Sequence, residues 1–277
     1  MNRWLAEIRR LDPERDAQRI VFLDSNVEFP WDTQRALELA FFRTYAVPSI
    51  AELLASTGEL TERARRRYDD TRLLMSALGE YGWDGELGRQ ALRRINRIHA
   101  RFEIGNDDYL YVLSALALEP IRWNARFGWR PLVENERQAT YVFWREIGRR
   151  MGIRGIPSSL DELDAFNTAF ERDRFAFTEA GRSLAKATLG LFRGRRLAVA
   201  LLDEPLCRAL GLPRPSPRER TAAEAAVRGR AALVRRLPPR RRAVFRTLER
   251  HRTYPHGYEI AQLGPPDATV RLSRSAP

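Results

Sequence analysis

A chain of 277 residues with 44% hydrophobic and 10% aromatic side chains carries enough apolar surface to fold, which excludes disorder over most of its length. Its formal net charge is +12 and Lys186 is its single lysine, a bias that reads as GC-rich coding rather than as arginine chemistry. Cys207 is the single cysteine, so no intramolecular disulfide can form and a reducing, cytoplasmic setting is expected.

The start, Met1-Asn-Arg-Trp-Leu-Ala-Glu-Ile-Arg-Arg, is too charged for a signal peptide. Beyond it, helical signals recur along the chain and alternating strand patterns are nearly absent. Asp12-Pro13 places an N-cap before a proline, with Ala17, Ile20, Leu23 and Val27 following on one face. Trp31-Asp32 opens a second helix to about Tyr45, and Pro48 starts a third that ends at Gly58. Thr61 caps a long helix to about Glu80, and another runs from about Asp84 to Phe102. Asn106 caps the run Tyr109 to Leu118, which is apolar on every side and predicts a central buried helix that Pro120 bends or ends. That run is far shorter than the ~18 residues of a membrane span.

Pro131 starts a helix closed near Gly152, and Thr178 opens one with Leu184, Ala187, Leu191 and Phe192 on its apolar side. Leu197 to Leu210 is a further helical segment, while Ser159 with Glu162 and Ser216 with Glu219 form capping boxes. Pro213, Pro215 and Pro217 divide a helical core, residues 1–212, from a basic helix and tail, residues 213–277, packed on it. Residues 207–252 hold fourteen arginines against Glu219, Glu224 and Glu249, so much of the positive charge is local. Such a run is usually a solvated face; Arg235, Arg236 and Arg240 to Arg242 around Pro238-Pro239 also form a surface that anionic lipid would fit.

Several chemistries are excluded because their residues are missing. There is no Walker loop, no G-x-G-x-x-G after a strand, no H-E-x-x-H, no C-x-x-C and no G-x-S-x-G. With only His99, His251 and His256, a conventional zinc site is hard to assemble, and the Glu-x-x-His pairs of a di-iron bundle are absent.

The informative pair is the two helices flanking Gly82. Arg67, Asp70, Thr71, Leu74 and Leu78 share one stripe of the first, so polar groups lie where the core is expected. Leu92, Ile95, His99 and Phe102 share the apolar face of the second, which makes His99 an inward imidazole. Spacing alone also allows a plain Arg67–Asp70 pair and a hydrogen-bonded core histidine. Glu119 reads as the partner of Arg122 one turn on, and Tyr254-Pro-His-Gly-Tyr258 reads as a turn with a structural His256.

Longer blocks carry more information. Tyr45-Ala-Val-Pro-Ser-Ile50, Arg66-Arg-Tyr-Asp-Asp-Thr71, Arg93-Arg-Ile-Asn-Arg-Ile-His-Ala-Arg101, Asn106-Asp-Asp-Tyr-Leu-Tyr-Val-Leu-Ser114 and Arg126-Phe-Gly-Trp-Arg-Pro131 stand in order, followed by Phe143-Trp-Arg-Glu-Ile-Gly148 and Arg252-Thr-Tyr-Pro-His-Gly-Tyr258. Together they resemble the MpaB-like and rubber oxygenase family over roughly residues 11 to 264. The resemblance implies an all-α domain with a globin-like core that holds haem b and uses dioxygen on an apolar, isoprenoid-like substrate. It implies a proximal ligand to iron at His99, and it sets the distal Arg-x-x-Lys-Thr pattern of rubber oxygenases on Arg67, Asp70 and Thr71, with aspartate where those proteins have lysine. A non-catalytic haem or lipid carrier of the same fold remains open. An arginine-rich nucleic-acid binder is a weaker alternative, because no reading motif accompanies the basic pI of about 10.7.

Overall fold

The computed structural model describes residues 2–192 and 194–265, and among them every regular element is helical. The last stretch of the basic tail, residues 266–277, lies outside the described residues. The chain begins with α1 (Arg3–Ile8) and α2 (Ala17–Leu23), and α2 runs straight into a wide π turn, Asp24–Glu28. Then come α3 (Pro30–Thr44), α4 (Pro48–Ser56), the single turn α5 (Glu59–Glu62) and α6 (Ala64–Tyr81). α7 (Glu86–His99), α8 (Asn106–Phe127) and α9 (Glu134–Arg150) follow. The second half holds α10 (Leu160–Arg174), α11 (Glu179–Gly190), α12 (Arg195–Leu201), α13 (Glu204–Ala209) and α14 (Pro217–Arg236).

Several starts are where capping chemistry puts them. Ser159, Thr178 and Ser216 each accept a hydrogen bond from the backbone N–H three residues on. The exceptions have physical causes. The long helix expected from Thr61 is broken at Arg63, whose φ of −130° ends α5 and begins α6. Pro120 does not end α8, which continues to Phe127; Asn124 Nδ2 donates to the Pro120 carbonyl at 2.9 Å. The segment from Leu197 to Leu210 is two helices, because Asp203 caps a fresh start through its side chain. Asp12 Oδ1 accepts from the Glu14 and Arg15 amides at 2.9 and 3.0 Å, making a turn, and α2 begins only at Ala17.

α8 is the central element, packed against α3, α9, α10 and α14. Tyr111, Ala115, Ala117 and Leu118 on it are almost wholly buried, as expected of a helix apolar all round. The main core joins α2, α6, α7, α8 and α9, and a second joins α3, α4, α11 and α13. The basic α14 lies on this body, with Ala223 and Val227 packed beside Trp123 and Phe127. Arg230 of α14 reaches buried Asp32 at 3.1 Å.

The α6–α7 hairpin positions the site. Gly82 joins the two helices at φ +63°, a left-handed conformation that suits glycine. A Cβ on Gly88 would stand 1.6 Å from the Gly82 carbonyl oxygen, so the turn closes only with glycine at both places. Since the helices run antiparallel from this turn, the end of α7, with His99, comes back beside the start of α6, with Arg67.

Candidate active site

A cavity of about 570 Å³ lies between these helices and α3, α4, α8 and α9, within the usual size range of small-molecule sites. Arg67, Thr71 and His99 all line it, amid a mostly apolar wall that includes Leu74, Leu113, Phe143 and Trp144. His99 packs against Tyr109, their ring centroids 5.6 Å apart and their planes tilted by 60°. Its Nδ1 is buried and has no hydrogen-bond partner among the described residues. Burial, and secondarily the Arg67 charge, lower its pKa from 6.5 to about 4. The ring is therefore neutral at physiological pH, the form that offers a lone pair.

Arg67 faces this imidazole without an ion pair among the described residues. Its Nη1 donates to Thr71 Oγ1, and that hydroxyl donates in turn to the Arg67 carbonyl at 2.9 Å. One turn of α6 thus fixes a cation and a hydroxyl together on the cavity wall. An apolar cavity holding an unpaired guanidinium and an unpartnered neutral imidazole is equipped to bind something that supplies the missing partners.

Asp70 sits elsewhere. It is not among the residues that line the cavity, and no Arg67–Asp70 ion pair forms; its carboxylate accepts a hydrogen bond from the Tyr254 hydroxyl and lies 3.9 Å from Arg66 Nε. Its neighbour Asp69 accepts from Thr253. The two aspartates hold the C-terminal segment against α6, on the flank of the stripe that Arg67 and Thr71 occupy. Burial raises the Asp70 carboxyl above its ordinary value. His256 is exposed, and His251 is a buried turn residue with a ring nitrogen 3.0 Å from the Arg246 carbonyl oxygen.

Glu119 also lies outside the cavity. Arg122 Nη1 donates to it at 3.0 Å, and Arg43 stands 3.5 Å away while donating to Glu171 at 2.7 Å and Asp203 at 2.6 Å. The pairing with Arg122 is thus one edge of a larger buried network.

Asp24 is among the lining residues that the sequence reading passed over. It belongs to the π turn and is buried at the cavity wall, and among the described residues no N–H or hydroxyl donates to its carboxyl, which lies beside that of Glu136. It follows Ile20 by four residues, so it continues the inward face of α2, the same signal that marks Arg67 and Thr71. Among the described residues no cluster of three or more His, Cys, Asp or Glu side chains is arranged to hold a metal ion by itself. Nor is any helix there long and apolar enough to cross a membrane.

Comparison with known proteins gives a consistent result. Residues 35–236 match the family described as ER-bound oxygenase mpaB/B'/rubber oxygenase, catalytic domain. The chain is 30% identical over 176 residues to the ER-bound oxygenase mpaB of Penicillium roqueforti (strain FM164), an overlap of 57% of this chain and 59% of that protein. With the ER-bound oxygenase mpaB' of Penicillium brevicompactum it shares 27% identity over 249 residues, 80% of this chain and 59% of the relative. It therefore covers 59% of the length of each of these two relatives. The match runs through α14, past the proline-rich stretch at 213–217.

Proposed function

Because this chain belongs to the mpaB/B' and rubber oxygenase catalytic-domain family, we propose that it is a haem b-dependent oxygenase that uses dioxygen on an apolar, isoprenoid-like substrate. The observation that carries this reading is the cavity in which His99, neutral and with an unpartnered Nδ1, stands near the unpaired Arg67. A neutral imidazole is a common axial ligand of haem iron, so the residues present fit the group, and His99 would hold it. When bound, haem supplies the dioxygen chemistry that no side chain can supply.

The protein's own part is positioning and dryness. Arg67 donates hydrogen bonds in a planar fork, which suits it to orient a polar oxygen. Thr71 fixes the guanidinium by hydrogen bonding and presents its own hydroxyl. Leu113, Leu116, Phe143 and Trp144 exclude water and hold the substrate chain by contact, so the hydrogen bonds of Arg67 act in a low-dielectric space. In this reading Asp70 acts indirectly, by seating the segment around Tyr254.

An absorption spectrum after expression with a haem precursor tests the assignment. A Soret band in the wild-type protein that is lost in His99→Ala supports it; a colourless wild-type protein that also resists reconstitution overturns it. Turnover of an isoprenoid substrate separates an oxygenase from a carrier of the same fold.

The reading extends to a lipid surface. Leu233, Leu237 and Leu248 are 60%, 56% and 74% exposed, close in sequence to Arg235, Arg236 and the exposed Arg240 to Arg242. Apolar side chains among arginines fit the interface of an anionic bilayer, and the fungal relatives are named as ER-bound. Co-sedimentation with phosphatidylglycerol vesicles, reduced in a Leu233→Ser, Leu237→Ser, Leu248→Ser variant, is the expected result; no sedimentation of the wild type would remove this proposal.

A further inference from the structure

The segment after α14 lies across both helices of the hairpin that carries Arg67 and His99. On α6, the buried Glu80 accepts hydrogen bonds from the Arg246 and Thr247 amides at 2.6 and 3.3 Å, and Asp69 and Asp70 take the Thr253 and Tyr254 hydroxyls. Tyr258 then donates to the Thr247 carbonyl at 3.0 Å, which folds the segment back on itself. On α7, the buried Arg94 holds its end: Nε donates to the Leu263 carbonyl at 2.7 Å and Nη2 to the Pro265 carbonyl at 3.0 Å. The Ile260 and Leu263 side chains are buried in the main core. Residues 246–265 thus form a strap anchored on both helices.

The strap is also part of the cavity. Arg246 and Pro265 line it, and both lie beyond residues 35–236, the stretch that matches the family. Arg94 and Ile98 stand four residues apart on one stripe of α7, beside the stripe of Ile95 and His99. Between the two carbonyls that Arg94 grips, Gly264 turns at φ +84°, and a Cβ there would stand 2.5 Å from Ile98 Cδ1. The strap therefore packs against α7 one residue before His99, at a distance that only glycine allows. Pro265, next in the chain, has no N–H, so it adds an apolar face to the cavity wall and no orphan donor.

We propose that this strap is a working wall of the site, closing the cavity on the His99 side, and that Arg94 is the positioning residue that keeps it closed. The proposal rests on the cavity around His99 being the working site, and adds that the chain beyond the matched stretch completes it. A guanidinium suits the task, because its planar fork spans two carbonyls that a lysine ammonium, a single point donor, does not. When Arg94 is lost, the Leu263 and Pro265 carbonyls lose that donor, residues 263–265 lift from Ile98, and water reaches the imidazole corner. Glu80, Asp69 and Asp70 still hold the earlier part of the strap, so the opening is local.

Diethyl pyrocarbonate, which acylates neutral imidazole, tests this on the full chain without haem. The chain has three histidines, and peptide mass spectrometry reads each one. His256 is exposed and serves as the reference, and buried His251 reports on the upstream part of the strap. In Arg94→Met the His99 rate, relative to His256, is expected to rise about tenfold, the scale of a lost buried hydrogen bond, with His251 unchanged. Arg94→Lys should fall between that variant and wild type. Gly264→Val, which forces the strap off Ile98 without touching the charge, should act in the same direction and decides the matter if Arg94→Met does not fold. A His99 rate equal to wild type in either folded variant, or a rise shared equally by His251, would overturn the proposal. After reconstitution, haem transfer from Arg94→Met to apomyoglobin should quicken by a similar factor. A wild type that takes up no haem sinks the cofactor reading alone, because the histidine rates are read without it.

Discussion

Two polar groups in this molecule are each built around a partly buried arginine and have opposite characters. Around Arg43, the carboxylates of Glu171, Asp203 and Glu119 converge on one guanidinium; Arg122 closes the far side onto Glu119, Asn167 and Asp164, and the Tyr111 hydroxyl donates to Glu171 at 3.0 Å. Around Arg67 there is one intrahelical hydroxyl, no ion-paired carboxylate among the described residues, and an imidazole whose Nδ1 has no hydrogen-bond partner among them. The first group is closed on itself and welds α3, α8, α10 and the start of α13 together. The second is not closed on itself, and its residues line a cavity. Burial and charge alone do not mark a site; what separates the two is whether the partners are already present.

The largest effect is expected where the closed group is cut. Arg43→Met leaves Glu119, Glu171 and Asp203 without their shared cation, and removing one partner of a buried ionic network costs about 3–5 kcal/mol. Thermal or urea unfolding of the purified variant checks this. A loss under ~1 kcal/mol would mean that water or rearranged arginines replace Arg43, and the contrast between the two groups would then be one of degree.

Cutting the open group should do the reverse. His99→Ala is expected to weaken haem binding by about a hundredfold or more, which is about 2.7 kcal/mol, while apo-protein stability changes by less than ~1 kcal/mol. Haem titration followed at the Soret band, with parallel unfolding of the apo form, separates the two quantities. A variant that binds haem normally would remove His99 as the ligand, and one that unfolds would move it into the class of Arg43.

A smaller effect follows from the position of Asp70. Its removal leaves the Tyr254 hydroxyl without its acceptor and loosens the C-terminal segment from α6, so Asp70→Ala should cost about 1–2 kcal/mol. Haem affinity should stay within about threefold of wild type, because the bond from His99 is untouched. Limited proteolysis after Arg250 or Arg252 gives a local readout. Normal resistance to proteolysis together with a changed haem spectrum would return Asp70 to the cavity.

What the sequence made legible is what local chemistry controls. Ser159, Thr178 and Ser216 set helix starts within reach of their own amides, and a helical period was enough to bring Arg67, Thr71 and His99 to one side of a hairpin. Asp70 shows the limit. Periodicity puts it on the inward stripe with Arg67 and Thr71, whereas its carboxylate turns aside to Tyr254, 184 residues away. The π turn was equally hidden: Ala17, Ile20, Leu23 and Val27 keep an ordinary helical spacing, and the extra residue is set by packing on Gly79 and by the Arg130 cluster. Asp24, in contrast, stands four residues after Ile20 inside an apolar stripe, and the logic that singled out Thr71 applies to it unchanged.

The smallest expected effect concerns Asp24 and has a definite sign with pH. Its folded-state pKa is raised, chiefly by burial and then by Glu136, whereas in the unfolded chain it titrates near the ordinary 3.8. Between these two values the folded protein holds a proton that the unfolded chain has released, so this residue makes stability fall as pH rises through that window. Below the unfolded value both states are protonated and the penalty is absent. Asp24→Asn removes the titration with little change of shape, and should therefore stabilise the protein at pH 7 by about 1 kcal/mol, the scale of a single favourable substitution. The advantage should shrink steadily as the pH is lowered toward 4. Thermal unfolding of wild type and variant in parallel at pH 4.5, 6 and 7.5 checks the trend, with the difference between them cancelling every other titrating group that they share. A gain that is independent of pH would mean Asp24 is protonated alike in both states. A gain that grows on acidification would mean its carboxylate is stabilised in the folded protein, and Arg130 would then be the dominant neighbour rather than burial and Glu136.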